Sequence, residues 1–408
     1  MSAQVLSLGC RLNLSESEEM RAMLAGADDL VVVNSCAVTS EAVRQTRQTI
    51  RRARRANPQA RLLVTGCAAE VERAAITAMP EVDGVVANDA KLDWRSWNVS
   101  PCEGRDLAPQ PRDTSRSLPS QGLAKNMYTR AFVPVQNGCD HACTFCVIPQ
   151  GRGASRSLGV GEVLREAERH LASGVSEIVL TGVDLTSWGA DLPGAPRLGA
   201  LCEAVLAAFP ALPRLRLSSI DGAELDDALF ELLAHERRMM PHVHLSLQSG
   251  DDMILKRMKR RHTRGDAVRL VGQLRAHRPD LGLGADLIAG FPTEDEAMHA
   301  SNLSIIAELG VVHGHVFPFS PRPGTPAARM PQVGPAAVKA RAAQLREAVA
   351  RQRQEWLASM LGKPLSVLGE RDGTGHAENF APVFLPDDCA AGEVVTIIPS
   401  RIADGMLA

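Results

Sequence analysis

Aromatic residues are scarce in this chain, at 3% of 408 positions. That scarcity argues against a surface that recognises nucleic acid by extensive base stacking. An excess of charge of one sign is also missing: the formal net charge is −2, so any RNA contact must come from local basic patches. No run approaches the roughly 18 to 20 consecutive apolar residues of a membrane-spanning helix. The opening MSAQVLSLGC has neither a basic segment nor a long apolar stretch, so no secretory signal is expected and a cytoplasmic location is. Internal repeats and low-complexity tracts are absent as well. What remains, with 45% hydrophobic and 23% charged residues, is the composition of a globular protein with a sizeable core. The length suggests two or three domains.

Nine cysteines are present. The number is odd and the spacings are clustered, which in a reducing compartment points to metal ligation rather than a disulfide scaffold.

Residues 1–100 alternate short apolar runs (Val5–Leu8, Leu30–Val33, Arg61–Val64, Val82–Val86) with helical stretches. This βαβ arithmetic predicts a mainly parallel sheet. Residues 101–127 are rich in Pro, Ser and charge and read as a linker. Alternation resumes over 128–361, with strands expected at Ala131–Val135, Glu177–Thr181, Arg214–Ser218, Val243–Leu247, Gly284–Ala289 and His315–Phe319. Six βα units in series suggest a barrel or partial barrel. A helix over 335–361 follows, and the short strands of 362–408 predict a small all-β appendage. The expected class is therefore α/β: an N-terminal parallel α/β domain, a central partial (β/α)6 barrel and a C-terminal all-β barrel.

The strongest motif is Cys139-Asp-His-Ala-Cys143-Thr-Phe-Cys146, directly after the strand AFVPVQNG. Three thiolates in eight residues cannot close a tetrahedral zinc site. They can hold three irons of a [4Fe-4S] cluster and leave the fourth open to an exogenous ligand. A zinc knuckle completed by His141 or His242 is the alternative. The motif resembles that of the radical S-adenosylmethionine (SAM) superfamily. The resemblance implies that SAM binds the open iron and is cleaved to a 5′-deoxyadenosyl radical.

Cys10, Cys36 and Cys67 each stand just past an expected strand, in VLSLGC, VVVNSC and LLVTGC. The C-terminal ends of parallel strands face one side, so these thiols should converge on one crevice. That arrangement suits a second [4Fe-4S] cluster, with three unrelated buried cysteines as the alternative. Cys102, Cys202 and Cys389 are expected to be structural.

Taken in order, GCRLNLSESE, NSCAVT, TGCAAE, NGCDHACTFCVIPQGRGASRS, LTGVDLTSWG, HLSLQSGDD, KRMKRRHT, ADLIAGFPTE and HVFPFSPRPGTPAA resemble the methylthiotransferase family along essentially the whole chain. The C-terminal segment is similar to its TRAM barrel, which binds RNA. The resemblance implies an enzyme that uses two [4Fe-4S] clusters and SAM to attach a methylthio group. Its partners would be tRNA, at the anticodon loop, and an electron donor such as flavodoxin or ferredoxin. The surroundings of Cys139, from Gln136 through Ser157, most resemble the branch that modifies threonylcarbamoyladenosine at tRNA position 37. Gln150 departs from that pattern, standing where an aromatic is common. The branches acting on isopentenyladenosine and on a ribosomal-protein aspartate remain alternatives, as does a non-catalytic cluster carrier. Ser219, Gln248, Asp286 and Pro292 are expected to line the SAM pocket or, alternatively, to serve as turn and packing residues. No residue stands out as a catalytic acid or base.

Two basic stripes are candidate phosphate contacts: Arg44, Arg47, Arg51 and Arg55 at helical spacing, and Lys256, Arg257, Lys259, Arg260, Arg261 and Arg264. Arg152 and Arg156 are added to them. Solvated charged faces are the alternative for both.

Overall fold

The computed structural model describes residues 3–97 and 129–408. The expected linker lies outside the described residues.

The first sheet is built from β1 (Gln4–Ser7), β2 (Leu30–Ser35), β3 (Arg61–Gly66) and β4 (Gly84–Val85) in that order, all parallel. β2 is buried along its whole length and β3 along nearly all of it. That is the pattern of strands covered on both faces by crossover helices. Helices Arg11–Met23 and Ser40–Ala56 supply the cover. The second is amphipathic, burying Val43, Thr46, Ile50 and Ala53, and Thr39 caps it by accepting from the Ala42 amide at 3.1 Å.

The central unit is an open, curved wall of parallel strands. One part runs β5 (Arg130–Pro134), β8 (Glu177–Thr181), β9 (Arg214–Leu217). A small antiparallel pair, β6 (Gln136–Asn137) with β7 (Arg156–Ser157), brackets the Cys139 loop. The wall continues through β10 (Ser219–Ile220), β11 (His242–Gln248), β12 (Gly282–Ala289) and β13 (Val311–Pro318). A bridge between Leu215 and Met239 links the two parts. The expected third barrel strand is thus broken at Ser218, and the last begins four residues earlier than expected. β5 and β13 are edges, so the barrel is open between them.

Alternation along these strands decides what each face does. Val133, Ile178, Leu180, Leu215, Val243, Leu245, Leu283, Ala285, Leu287 and Val311 join the main core, under helices such as Val160–Ala172, Leu198–Ala208 and Arg264–His277. The intervening positions face the lumen and include Glu177, Arg216, His242, His244, Asp286, His313 and His315. A lumen so polar is unlike the branched aliphatic filling of a closed (β/α)8 barrel.

The remaining strands, β14 (Leu365–Gly369), β15 (Thr374–Ala377), β16 (Pro382–Phe384), β17 (Val394–Ile397), β18 (Ile402–Ala403) and β19 (Met406–Leu407), form a six-stranded sheet ordered β17-β14-β15-β16-β19-β18. It closes the barrel at the N-terminal ends of the strands. Arg214 donates to the carbonyls of Ser366 at 2.9 Å and His376 at 3.2 Å. A Cβ on Gly282 would meet the Asn379 carbonyl oxygen at 2.2 Å. No helix among the described residues is long and apolar enough to cross a membrane.

Candidate metal centre

Two sets of three cysteines lie at the C-terminal side of the strands, one set in a single loop and the other just past β1, β2 and β3. The loop of the first set leaves β6 at Gly138, whose φ is +77°. A Cβ there would lie 1.9 Å from the Ala154 carbonyl oxygen, so only glycine fits. The Cys139 amide then donates to the Gly153 carbonyl at 3.2 Å. Farther along, the Thr144 amide and hydroxyl donate to the carbonyls of Met258 (3.1 Å) and Arg257 (2.8 Å). The loop is pinned at both ends.

Donors surround its sulfurs. The His141 amide points at Cys139 Sγ and the Ile148 amide at Cys146 Sγ, each at 3.4 Å, and Arg260 Nη1 lies 3.7 Å from Cys143 Sγ. The amide donors favour the thiolates of Cys139 and Cys146, although Asp184, which accepts from Cys139 Sγ at 3.7 Å, opposes this at Cys139. Burial works against them and pushes Cys139 up to about 12 and Cys146 up to about 11. Buried thiols of this kind give up their protons to a metal rather than to water.

The second set converges as expected. Cys10, Cys36 and Cys67 follow β1, β2 and β3, whose registers align Ser7 with Asn34 and Asn34 with Thr65. Cys36 and Cys67 are buried and Cys10 is exposed. Gly9, at φ +99°, stands against the second thiol: its Cβ would lie 2.9 Å from Cys36 Sγ. Burial, together with the nearby Cys67 and Cys10, raises Cys36 to about 11.

A buried charge cluster lies behind this trio. Glu16 accepts from Lys91 Nζ at 2.6 Å, and from Arg152 Nη1 at 2.9 Å and Nη2 at 3.0 Å. Arg152 also reaches Asn137 Oδ1 at 2.8 Å, and Asn88 donates to the Gly151 carbonyl at 2.6 Å. Two cations share one carboxylate here, which leaves positive charge facing the thiols. Arg152 and Lys91 both act to lower the pKa of Cys67, although burial wins and raises it. Arg152 was expected on an RNA-facing stripe. Instead it is 4% exposed and joins the N-terminal sheet to the barrel.

The two sets meet. A Cβ on Gly151 would lie 3.2 Å from Cys67 Cβ, and Cys146 is close enough to Cys67 for their charges to repel. No three of the six sulfurs lie within 4.8 Å of one another, the span that one ion would require; the groups that do so pair His141 with Cys139 and Asp184 or with Asp221 and Glu224, and His244 with Asp286 and His315. Sulfurs set wider than a single-ion cage, with amide and guanidinium donors around them, fit a polynuclear iron–sulfur cluster better than zinc. His242, considered as a zinc ligand, lies at the opposite end of the barrel against Phe380, with ring centroids 4.8 Å apart. His141 is hydrogen-bonded to Asp184 at 2.8 Å.

Of the residues expected at the SAM pocket, Ser219 starts β10 and Gln248 ends β11 with φ +67°. Pro292 is buried in the turn after β12. Asp286 sits inside β12 rather than at its end, with Oδ1 between His244 Nε2 (2.9 Å) and His315 Nδ1 (3.1 Å). The second basic stripe is largely consumed internally. Arg260 pairs with Asp221 at 2.9 Å, Arg261 with Glu224 at 2.5 Å, and Arg264 with Glu308. Lys256 and Lys259 stay exposed. In the first stripe, Arg44 pairs with Glu41 and Arg47 with Glu72, each at 2.5 Å. Sequence reasoning missed Arg11 and Lys91, and the only hint was that Arg11 follows Cys10 directly.

Comparison with known proteins gives three results. The Radical SAM superfamily matches residues 133–301, and the Uncharacterized protein family UPF0004 matches residues 2–87. A threonylcarbamoyladenosine tRNA methylthiotransferase of Rickettsia prowazekii (strain Madrid E) is 44% identical over 395 residues, covering 96% of this chain and 93% of that protein. A tRNA-2-methylthio-N(6)-dimethylallyladenosine synthase of Roseobacter denitrificans is 32% identical, covering 98% and 96%. Among solved structures, the radical S-adenosylmethionine methyltransferase TsrM from Kitasatospora setae, with cobalamin and a [4Fe-4S] cluster bound, superposes with a TM-score of 0.53. It is 17% identical and covers 77% of this chain and 68% of that one, which is a likeness of fold.

Proposed function

This chain belongs to the radical SAM tRNA methylthiotransferase family, and from that membership we propose that it attaches a methylthio group to carbon 2 of N6-threonylcarbamoyladenosine at position 37 of tRNA. The 44% identity to a threonylcarbamoyladenosine enzyme, against 32% to a dimethylallyladenosine enzyme, favours this branch. Cys139, Cys143 and Cys146 hold the [4Fe-4S] cluster that the superfamily uses with SAM. Cys10, Cys36 and Cys67 hold a second. When bound, the first cluster would supply the electron that cleaves SAM to methionine and a 5′-deoxyadenosyl radical, and the second would hold the sulfur that is methylated and transferred.

The observation that carries the reading is the contact of Gly151 with Cys67. It brings the loop of one cysteine trio against the other, so both can serve one reaction chamber. The chain's own residues do the positioning. Gly138 and the Thr144 hydrogen bonds fix the first loop; Arg152 and Lys91 supply counter-charge to the second trio; Ser219, Gln248, Asp286 and Pro292 are proposed to border SAM. The C-terminal sheet acts as the TRAM-like RNA-binding appendage, through backbone contacts rather than stacking. A small electron-transfer protein such as flavodoxin or ferredoxin delivers the reducing electron.

Nucleoside mass spectrometry of tRNA from a deletion strain tests the reading. Loss of the 2-methylthio form of threonylcarbamoyladenosine alone, restored by the wild-type gene, is expected. Loss of the dimethylallyl derivative, or no change in tRNA, would overturn it.

A further inference from the structure

The base of the barrel lumen holds more positive charge than its carboxylates can match. Four guanidinium groups, of Arg11, Arg130, Arg214 and Arg216, gather there against three carboxylates, Glu177, Glu370 and the exposed Glu378 near Arg214. Arg216 grips Glu177 through Nε and Nη2, both at 3.0 Å. Arg130 takes Glu370 and lies 4.0 Å from Glu177. Arg214 is held mainly by carbonyls of the C-terminal sheet. Arg11 is left over: among the described residues it makes no hydrogen bond and no ion pair. Its guanidinium only rests against two rings, with Cζ 5.7 Å from the Phe132 centroid and 5.6 Å from that of Phe380.

Other polar atoms in this region also lack partners. Among the described residues, Arg216 Nη1, His242 Nδ1 and His313 Nε2 are buried without hydrogen bonds. Arg216 itself is 1% exposed, and its Cζ lies 4.9 Å from the same Phe380 ring. Arg11 is partly buried, and its charged neighbours include Arg130 and Arg216. A desolvated cation among cations is costly unless an anion joins it, and orphaned buried donors in a native fold call for a ligand or water. The local backbone reinforces the demand. Arg11 opens a 13-residue helix that has no side-chain cap and no acidic residue in its first turn, so its free amides also favour negative charge. Phe380 lies at φ +71°, a strained setting for a bulky residue, and it forms the floor of this chamber. The same helix packs on edge strand β5, where Ser15 donates to the Phe132 carbonyl at 3.0 Å, and His315 stands on the other edge strand, β13.

We propose that Arg11, with the unpartnered Nη1 of Arg216 against the same Phe380 ring, receives the carboxylate of the substrate's N6-threonylcarbamoyl arm in the barrel lumen. The proposal rests on the functional reading above and names the residue that tells the branches apart. Arg11 follows Cys10 directly, so the group that fixes the anionic arm is one residue from a proposed cluster ligand. A hydrocarbon dimethylallyl arm would leave Arg11 desolvated and unpaired. Sites built to pair a polar group reject analogues that lack it far more strongly than apolar pockets reject each other's ligands.

The test is equilibrium binding of the full-length, cluster-loaded protein to anticodon stem-loop RNAs. The RNAs carry adenosine, threonylcarbamoyladenosine, its methyl ester or dimethylallyladenosine at position 37. The wild type should bind the free-acid RNA about 10- to 100-fold more tightly than the ester, the worth of one charge-assisted hydrogen bond. Arg11→Gln should abolish that preference, and Arg11→Lys, which keeps the charge, should retain part of it. Retention of the full preference by Arg11→Gln would overturn the proposal. So would an equal loss for all four RNAs, which would mark Arg11 as a backbone-phosphate contact. A wild-type preference for the dimethylallyl RNA would instead overturn the functional reading itself.

Discussion

Arg152 reaches back 136 positions to grip Glu16 with both terminal nitrogens, at 2.9 and 3.0 Å. Lys91 holds the same carboxylate from the other side at 2.6 Å. Burial pushes Glu16 up, but Lys91 and Arg152 outweigh it and hold the carboxyl below its ordinary value. Its contribution to stability is therefore full above the unfolded carboxyl pKa of about 4.3 and falls away as pH drops. Glu16→Gln strands two buried cations and should cost about 3–5 kcal/mol. Urea unfolding of the apo-protein at neutral pH measures this, and a loss below about 1 kcal/mol would show that the seam does not depend on the charge.

Iron analysis separates the two cysteine sets. Triple replacement of Cys139, Cys143 and Cys146 by Ala should lower reconstituted iron from about eight to about four atoms per chain and abolish SAM cleavage. The same replacement of Cys10, Cys36 and Cys67 should also remove about four irons but leave SAM cleavage, with no methylthio product. Full iron content in either variant would refute its set.

Asp286 provides a pH signature. Burial opposes ionisation, yet its hydrogen bonds with His244 and His315 hold it at about 2 against an ordinary 3.8. Its stabilisation, about 2 kcal/mol at 1.36 kcal/mol per pH unit, is complete above pH 4 and lost as pH falls through about 2. Asp286→Asn should flatten the acid limb of stability against pH relative to wild type. Parallel acid limbs would show that the histidines do not hold this carboxylate.

The basic stripe after β11 divides by burial. Lys256→Ala and Lys259→Ala remove exposed charges and should each reduce the salt slope of RNA binding by about 1 without changing stability. Arg260→Ala should instead destabilise the fold by about 1–3 kcal/mol, because buried Asp221 loses its 2.9 Å partner and keeps Arg261 at 3.4 Å and His262 at 3.7 Å. Thermal melts beside salt titrations distinguish these, and an unaltered melt for Arg260→Ala would contradict the assignment.

Gly138→Ala tests the first loop. The added Cβ would lie 1.9 Å from a carbonyl oxygen at a φ of +77°, so the loop must move. Reduced incorporation of the first cluster is expected, read by iron content and electron paramagnetic resonance. An unchanged spectrum would mean that the loop tolerates the shift.

The chain's order of apolar runs and its two cysteine patterns were enough to give the α/β class, the partial barrel and the six candidate ligands. Each of those depends on local spacing: alternation within a strand, three cysteines in eight residues, a cysteine just past each parallel strand. The fate of charge was not legible in the same way. Arg11, Arg152 and Arg260 look alike along the chain, but among the described residues one stands unpaired in the lumen, one ties the N-terminal sheet to the barrel and one is buried against Asp221. Their partners, or the lack of them, come from segments far away in sequence. Only packing decides which guanidinium loses its water, and with it which one needs an anion that the chain itself does not provide.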